Sequence, residues 1–148
     1  MLKGIHPLLT ADLLRALRAM GHGDELAVVD ANFPAASLGP PVIELAGAGA
    51  PEALGAILTL MPIDLQAEPA AFTMAVVGDA TAVPEAVADF ASVFTEHGLA
   101  DCEIGQLERG AFYERTRRAF AIVRTGELRP YGNLLLVKGV LNRYVPPA

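Results

Sequence analysis

Tryptophan is absent and cysteine occurs once among the 148 residues. A single thiol excludes an internal disulfide and fits a reducing, cytoplasmic setting. Aromatic residues make up only 6%. Positive charge is also scarce. Lys and Arg total 11 against 17 Asp and Glu, a formal net charge of −6. That excludes the basic surface on which nucleic-acid binders rely. Three histidines and one cysteine never approach zinc-ligand spacing, so no metal site is expected. Long apolar runs are missing too. The longest uncharged stretch, Ala31 to Ile43, contains three prolines. It falls short of the ~20 residues of a membrane helix. The segment Met1-Leu2-Lys3-Gly4-Ile5-His6-Pro7 lacks the apolar core of a signal peptide. A soluble, acidic, intracellular protein is expected, without membrane or nucleic-acid partners.

Aliphatic side chains are abundant instead. Apolar residues reach 53% and the mean hydropathy is +0.40. The surplus fits a homo-oligomer that covers part of its surface. An alanine-rich composition from a GC-rich genome explains it equally well. No repeat, low-complexity tract or linker divides the chain, so residues 1–148 are expected to form one domain.

Apolar periodicity supplies the elements. Thr10 as N-cap with Leu13, Leu14, Leu17 and Met20 predicts a helix ending at Gly21. Leu26 to Asp30 reads as a buried strand and Val42 to Leu45 as a second. Pro51 opens a helix to about Leu60. Phe72 to Val77 is a strand. Pro84 opens a helix with Val87, Phe90, Ala91 and Phe94 on its apolar face, ending at Gly98. Ile104 to Leu107 is a short strand, Glu108 to Arg118 a charged helix or turn. Ala119 to Val123 and Leu134 to Val137 are strands, with turn residues between them that suggest a hairpin. The class is α/β, with a mixed sheet and flanking helices.

Three segments could carry chemistry. Gly21-His22-Gly23-Asp24 is a side-chain-poor turn that leaves an imidazole accessible, and Asp30 ends the strand that follows. The plain alternative is a surface histidine and a turn-capping aspartate. If that strand is straight, His22 and Asp30 lie near its opposite ends. One site then requires a folded-back loop or a second chain. Tyr131-Gly132-Asn133 offers a phenol and an amide to a polyol, or is simply a turn. In Arg109 to Arg118, ion pairing on a solvated helix explains most charges, with one Arg left to face a hydroxyl or carboxylate. Gly47-Ala48-Gly49 is not a dinucleotide fingerprint, because Glu52 stands where the third glycine belongs.

These segments together resemble the RbsD/FucU family, specifically its L-fucose mutarotase branch. The resemblance runs through Leu2-Lys3-Gly4-Ile5, Met20-Gly21-His22-Gly23-Asp24-Glu25 and Asp30-Ala31-Asn32-Phe33-Pro34-Ala35. It continues through Phe112-Tyr113-Glu114-Arg115, Ala119 to Val123, Thr125-Gly126-Glu127, Tyr131-Gly132-Asn133 and Lys138-Gly139-Val140. It implies a cofactor-free isomerase that interconverts the anomers of L-fucose or a related free monosaccharide. It also implies an RbsD-like subunit in a ring-based homo-oligomer, a decamer, with sites near subunit boundaries. Carried over residue by residue, His22 falls on the family's proton donor. Asp30, Arg109, Tyr131, Gly132 and Asn133 fall on its substrate ligands. Two positions depart from the family pattern, Gly110 after the arginine and Glu44 in place of an arginine.

Mutarotation needs a proton delivered to the ring oxygen and another removed from the anomeric hydroxyl. A histidine, with an unperturbed pKa of about 6.5, does both near neutrality. In this reading Asp30, Arg109 and Asn133 hold hydroxyls, and Tyr131 holds one or relays the second proton. The sister activity, D-ribose pyranase, and a non-catalytic sugar-binding module on the same scaffold are the competing readings.

Overall fold

The structure is a computed structural model and describes residues 1–146. Eleven elements follow one another along the chain. They are α1 (Ala11–Ala19), β1 (Glu25–Val29), a 3-10 turn (Ala35–Ser37), β2 (Val42–Leu45), α2 (Ala50–Leu58) and β3 (Ala71–Met74). Then come α3 (Glu85–Glu96), β4 (Ile104–Leu107), α4 (Arg109–Thr116), β5 (Ala121–Thr125) and β6 (Leu134–Val137). The six strands form one sheet in the order β2-β5-β1-β6-β3-β4. β6 runs antiparallel to both of its neighbours, and the other three pairings are parallel.

Why β1 reads as an unbroken apolar run is evident from its two faces. Leu26 and Val28 pack on one side with Leu13 and Leu17 of α1, Leu54 and Ile57 of α2, and Phe90 and Phe94 of α3. Ala27 and Val29 pack on the other with Phe33, Phe72 and Phe112. A strand covered on both faces needs no polar alternation. Three helices therefore cover one face, while α4 and the segment after β1 cover the other.

Local chemistry sets the element ends. The Thr10 hydroxyl accepts the Leu13 N–H at 3.3 Å, capping α1. α1 ends at Ala19 with Met20 as its C-cap, and the expected Gly21 follows directly. There the Lys138 ammonium donates to the carbonyls of Leu17 and Met20, at 2.7 and 2.5 Å. A cation on the last free carbonyls ends a helix without needing glycine. Pro51 occupies the first turn of α2, as expected.

Several expectations are corrected. β5 starts two residues later than Ala119, because Ala119 still belongs to the turn closing α4. β3 ends at Met74, and Val76 instead bridges to Asp79. Ala91 faces solvent, and Ala86 takes its place on the buried face of α3. Most consequentially, β5 and β6 form no hairpin. β1 lies between them, parallel to one and antiparallel to the other. The turn residues from Gly126 to Asn133 serve a strap that crosses the carboxyl end of β1. Because β6 alone is reversed, its first residues sit at that carboxyl end and its last ones at the amino end.

Candidate active site

The carboxyl ends of β1, β3 and β4 and the strap after β5 surround a cavity of about 280 Å³. Its lining includes Asp30, Phe33, Arg109, Tyr113, Tyr131 and Asn133. The outer end of parallel strands is where open α/β sheets leave room for ligands. Four of the six residues expected at a site, Asp30, Arg109, Tyr131 and Asn133, thus converge from three parts of the chain.

Asp30 and Asn133 form its polar floor. The Asn133 amide oxygen accepts the Asp30 N–H at 2.9 Å, and its Nδ2 donates to Asp30 Oδ2 at 3.0 Å. Asp30 Oδ1 accepts the Asn32 N–H at 3.0 Å. Both side chains are buried. Burial pushes the Asp30 carboxyl above its ordinary range, against these hydrogen bonds, and the nearby Glu127 charge pushes the same way. Oδ2 faces an amide rather than a cation, so the carboxylate remains a strong acceptor for a ligand hydroxyl.

Tyr131 holds a backbone of positive φ, 61°, without being a glycine. Its phenol oxygen accepts the Val77 N–H at 3.1 Å, which leaves the phenol proton free to donate. Gly132 lines no part of the cavity. A Cβ there would approach Glu127 Cγ to 2.7 Å, so the position is glycine because the strap folds onto Glu127. Glu127 in turn accepts from Arg129 through both oxygens and from the Ala50 N–H at the start of α2. Arg129 also reaches Asp89 at 2.8 Å. The Arg129 guanidinium holds the Glu127 carboxyl at about 2, well below the ordinary 4.5.

The arginines of α4 divide their labour. Arg115 is taken up by a bidentate pair with Glu25 and lies 3.7 Å from the Phe72 ring centre. Arg117 pairs with Glu114 at 3.2 Å. Arg109, exposed and in no ion pair among the described residues, lines the cavity. The Gly110 departure does not displace it. The Gly110 N–H is held by the N-capping Glu108 carboxylate at 3.1 Å. Glu44 is equally accounted for. It stands opposite Arg124 in the parallel register of β2 and β5, and the two side chains pair.

His22 does not join the cavity. It lies in the turn before β1, at the other end of that strand. Five residues of strand span about 17 Å at ~3.3 Å each, longer than a monosaccharide. The turn is tied down by the Gly21 N–H to Asp24 Oδ2 at 2.7 Å and the Gly23 N–H to the Lys138 carbonyl at 2.9 Å. Gly23, with φ of 83°, supplies the left-handed residue the turn requires. His22 Nε2 meets Asp64 Oδ2 at 2.8 Å.

Sequence reasoning missed Tyr113, Phe33 and Asp64 as parts of these sites. Tyr113 packs edge-on to Phe33 with ring centres 5.4 Å apart, and the two rings wall the cavity. Both lie in segments that carry the family resemblance, yet nothing local marks them as cavity walls. No cluster of three or more His, Cys, Asp or Glu capable of holding a metal occurs among the described residues. No helix among them is long and apolar enough to cross a membrane.

Comparison with known proteins gives this geometry relatives. Residues 3–141 match the RbsD / FucU transport protein family. Among solved structures, the fucose mutarotase of Streptococcus pneumoniae, determined with L-fucose, is 40% identical with a TM-score of 0.88. That match covers 95% of this chain and 99% of the other. FucU of Bifidobacterium longum is 42% identical with a TM-score of 0.85, over 94% of this chain and 99% of its own. RbsD of Bacillus subtilis, determined with D-ribose, is 25% identical with a TM-score of 0.72, over 95% and 99%. A match spanning nearly the whole chain, on the same single-domain α/β fold with a six-stranded mixed sheet, means that this protein belongs to the RbsD/FucU family.

Proposed function

We propose that the protein is a mutarotase that interconverts the α and β anomers of L-fucose or a closely related free monosaccharide. The observation that carries this reading is the convergence of Asp30, Arg109, Tyr131 and Asn133 on one small cavity. A carboxylate, a guanidinium, a phenol and an amide against the rings of Phe33 and Tyr113 match a polyol with one apolar face. Two solved fucose-branch relatives are 40% and 42% identical, against 25% for a ribose-bound relative, which favours the fucose branch.

In the reaction, His22 is the acid/base. A proton reaches the ring oxygen while another leaves the anomeric hydroxyl. The bond between the anomeric carbon and the ring oxygen breaks, and the open-chain aldehyde results. Rotation of that aldehyde and the reverse proton transfers close the ring on its other face. Asp30 accepts a sugar hydroxyl proton in a hydrogen bond, and Arg109 and the second N–H of Asn133 donate to others. The free phenol proton of Tyr131 donates to a hydroxyl or passes on the second proton. Positioned acid–base groups contribute typically ~10²–10⁴-fold, which is about 3–5 kcal/mol of barrier.

His22 and the cavity act together only if two copies of the chain share each site, as a homo-oligomer, a decamer in this reading, arranges. The exposed Val140, Leu141 and Val145 support such association, since a monomer gains nothing by wetting them. Saturation-transfer NMR of the anomeric protons tests the function. Catalytic amounts of protein should speed α/β exchange of L-fucose, and His22→Ala should lose that acceleration while still binding sugar. Faster pyranose–furanose exchange of D-ribose alone would assign the sister activity. Binding of sugar without faster exchange would replace the enzyme by a binding module.

A further inference from the structure

The turn that carries His22 has a second acidic partner besides Asp24, and it comes from far along the chain. Asp64 lies 42 residues away, in the segment between α2 and β3. The end of β6 positions it, because its N–H donates to the Val137 carbonyl at 3.0 Å. Asp64 Oδ1 accepts the Gln66 N–H at 3.1 Å, which leaves Oδ2 to face His22 Nε2 at 2.8 Å. The imidazole is 57% exposed while the carboxylate is 15% exposed. The anchored, shielded member of the pair is thus the aspartate, and the accessible member is the histidine.

We infer that Asp64 is a positioning residue for His22: it fixes the ring through Nε2 and leaves Nδ1 as the atom that exchanges protons with the substrate. This rests on the reading of His22 as the acid/base. An ionised carboxylate can only accept. A neutral imidazole beside it therefore carries its proton on Nε2 and its lone pair on Nδ1. The His22 hydrogen bond holds the Asp64 carboxyl below its ordinary range, so Asp64 is ionised at neutral pH. The other charges around the turn are engaged elsewhere. Asp24 faces the Gly21 N–H, and Lys138 the carbonyls ending α1. Glu25 holds Arg115. Arg18 lies near Lys138, and Arg118 lines the groove beside Gly23. None of them contacts the ring as Asp64 does.

Two variants separate this role from a merely structural one. Asp64→Asn keeps the shape and removes the charge. Asp64→Glu keeps the charge and moves the carboxylate by one methylene. Asp64→Asn should lower kcat for anomer exchange by roughly 10–100-fold with KM unchanged, the loss of one charge-assisted hydrogen bond expressed in rate. It should also move the acid limb of the pH–rate profile to lower pH, since the imidazolium has lost its counter-charge. Asp64→Glu should leave that limb in place and retain more of kcat. Independently of turnover, the ring ¹⁵N signals of His22 should shift in Asp64→Asn without sugar present. Wild-type kcat, pH profile and ring signals in both variants would overturn the inference while leaving the acid/base reading intact, provided His22→Ala is inactive. Equal rates in His22→Ala and wild type would instead overturn the acid/base reading.

Discussion

The Asp30–Asn133 pair does two jobs with four atoms. Asn133 satisfies the buried Asp30 N–H through Oδ1 and holds the carboxylate through Nδ2. Only one amide N–H then remains for a ligand. Asn133→Ala strands a buried donor and releases the carboxylate. An unsatisfied buried group costs ~1–3 kcal/mol, and chemical denaturation should find that loss. Sugar binding should weaken in parallel, since Asp30 is no longer aimed. Unchanged stability together with unchanged sugar affinity would show that the pair serves neither purpose. The residues of this pair were readable from sequence as candidates, because each sits beside a turn signal. Their mutual hydrogen bonds were not readable, because 103 residues separate them.

At the scale of the element, the strap from Gly126 to Asn133 decides both the topology and the site. Its residues look like a hairpin turn, and nothing local distinguishes a turn from a crossing. What makes it a crossing is anchorage. The Glu127 carbonyl accepts the Ala31 N–H after β1, and the Glu127 carboxylate accepts from Ala50 at α2 and from Arg129. Ala31 and Ala50 lie far away in sequence, so the pattern of apolar runs located β5 and β6 but not their separation by β1. The same limit explains Ala91. Helical spacing places it near the apolar stripe of α3, but Ala86 is the alanine that is buried, beside Gly132 of the strap. The strap also has a pH signature. Glu127 titrates near 2 when folded and near 4.5 otherwise, so its stabilisation is full above pH ~4.5 and is lost as pH falls toward 2. Glu127→Gln should therefore cost about 2–3 kcal/mol at neutral pH and progressively less in acid. Asp30 has the opposite sign, because its raised value makes its burial cheaper as pH falls. Urea denaturation of wild type and Glu127→Gln between pH 2 and pH 7 checks the difference. A constant gap across that range would show that the Glu127–Arg129 charge pair is not the strap's anchor.

At the scale of the whole molecule, β6 is the element that relates the two candidate sites. Its reversed direction puts Asn133 at the cavity and Lys138 at the His22 turn, four residues of strand apart. In the proposed function each chain thus presents its binding cavity at one end of the sheet and its acid/base at the other. In that reading such a chain is half of two sites, and association completes each. That division makes a prediction no single-chain site shares. Co-expressing His22→Ala with Arg109→Ala chains brings together an intact cavity from one chain and an intact histidine from the other. If partner choice is random in a symmetric assembly, about a quarter of the sites become whole. Each variant alone should be nearly inactive in anomer exchange, while the mixed assembly should recover roughly that fraction of the wild-type rate. An inactive mixed assembly, with both chains verified in it, would mean that His22 and Arg109 must come from the same chain. The strand length between them would then have to be overcome by a rearrangement of the His22 turn.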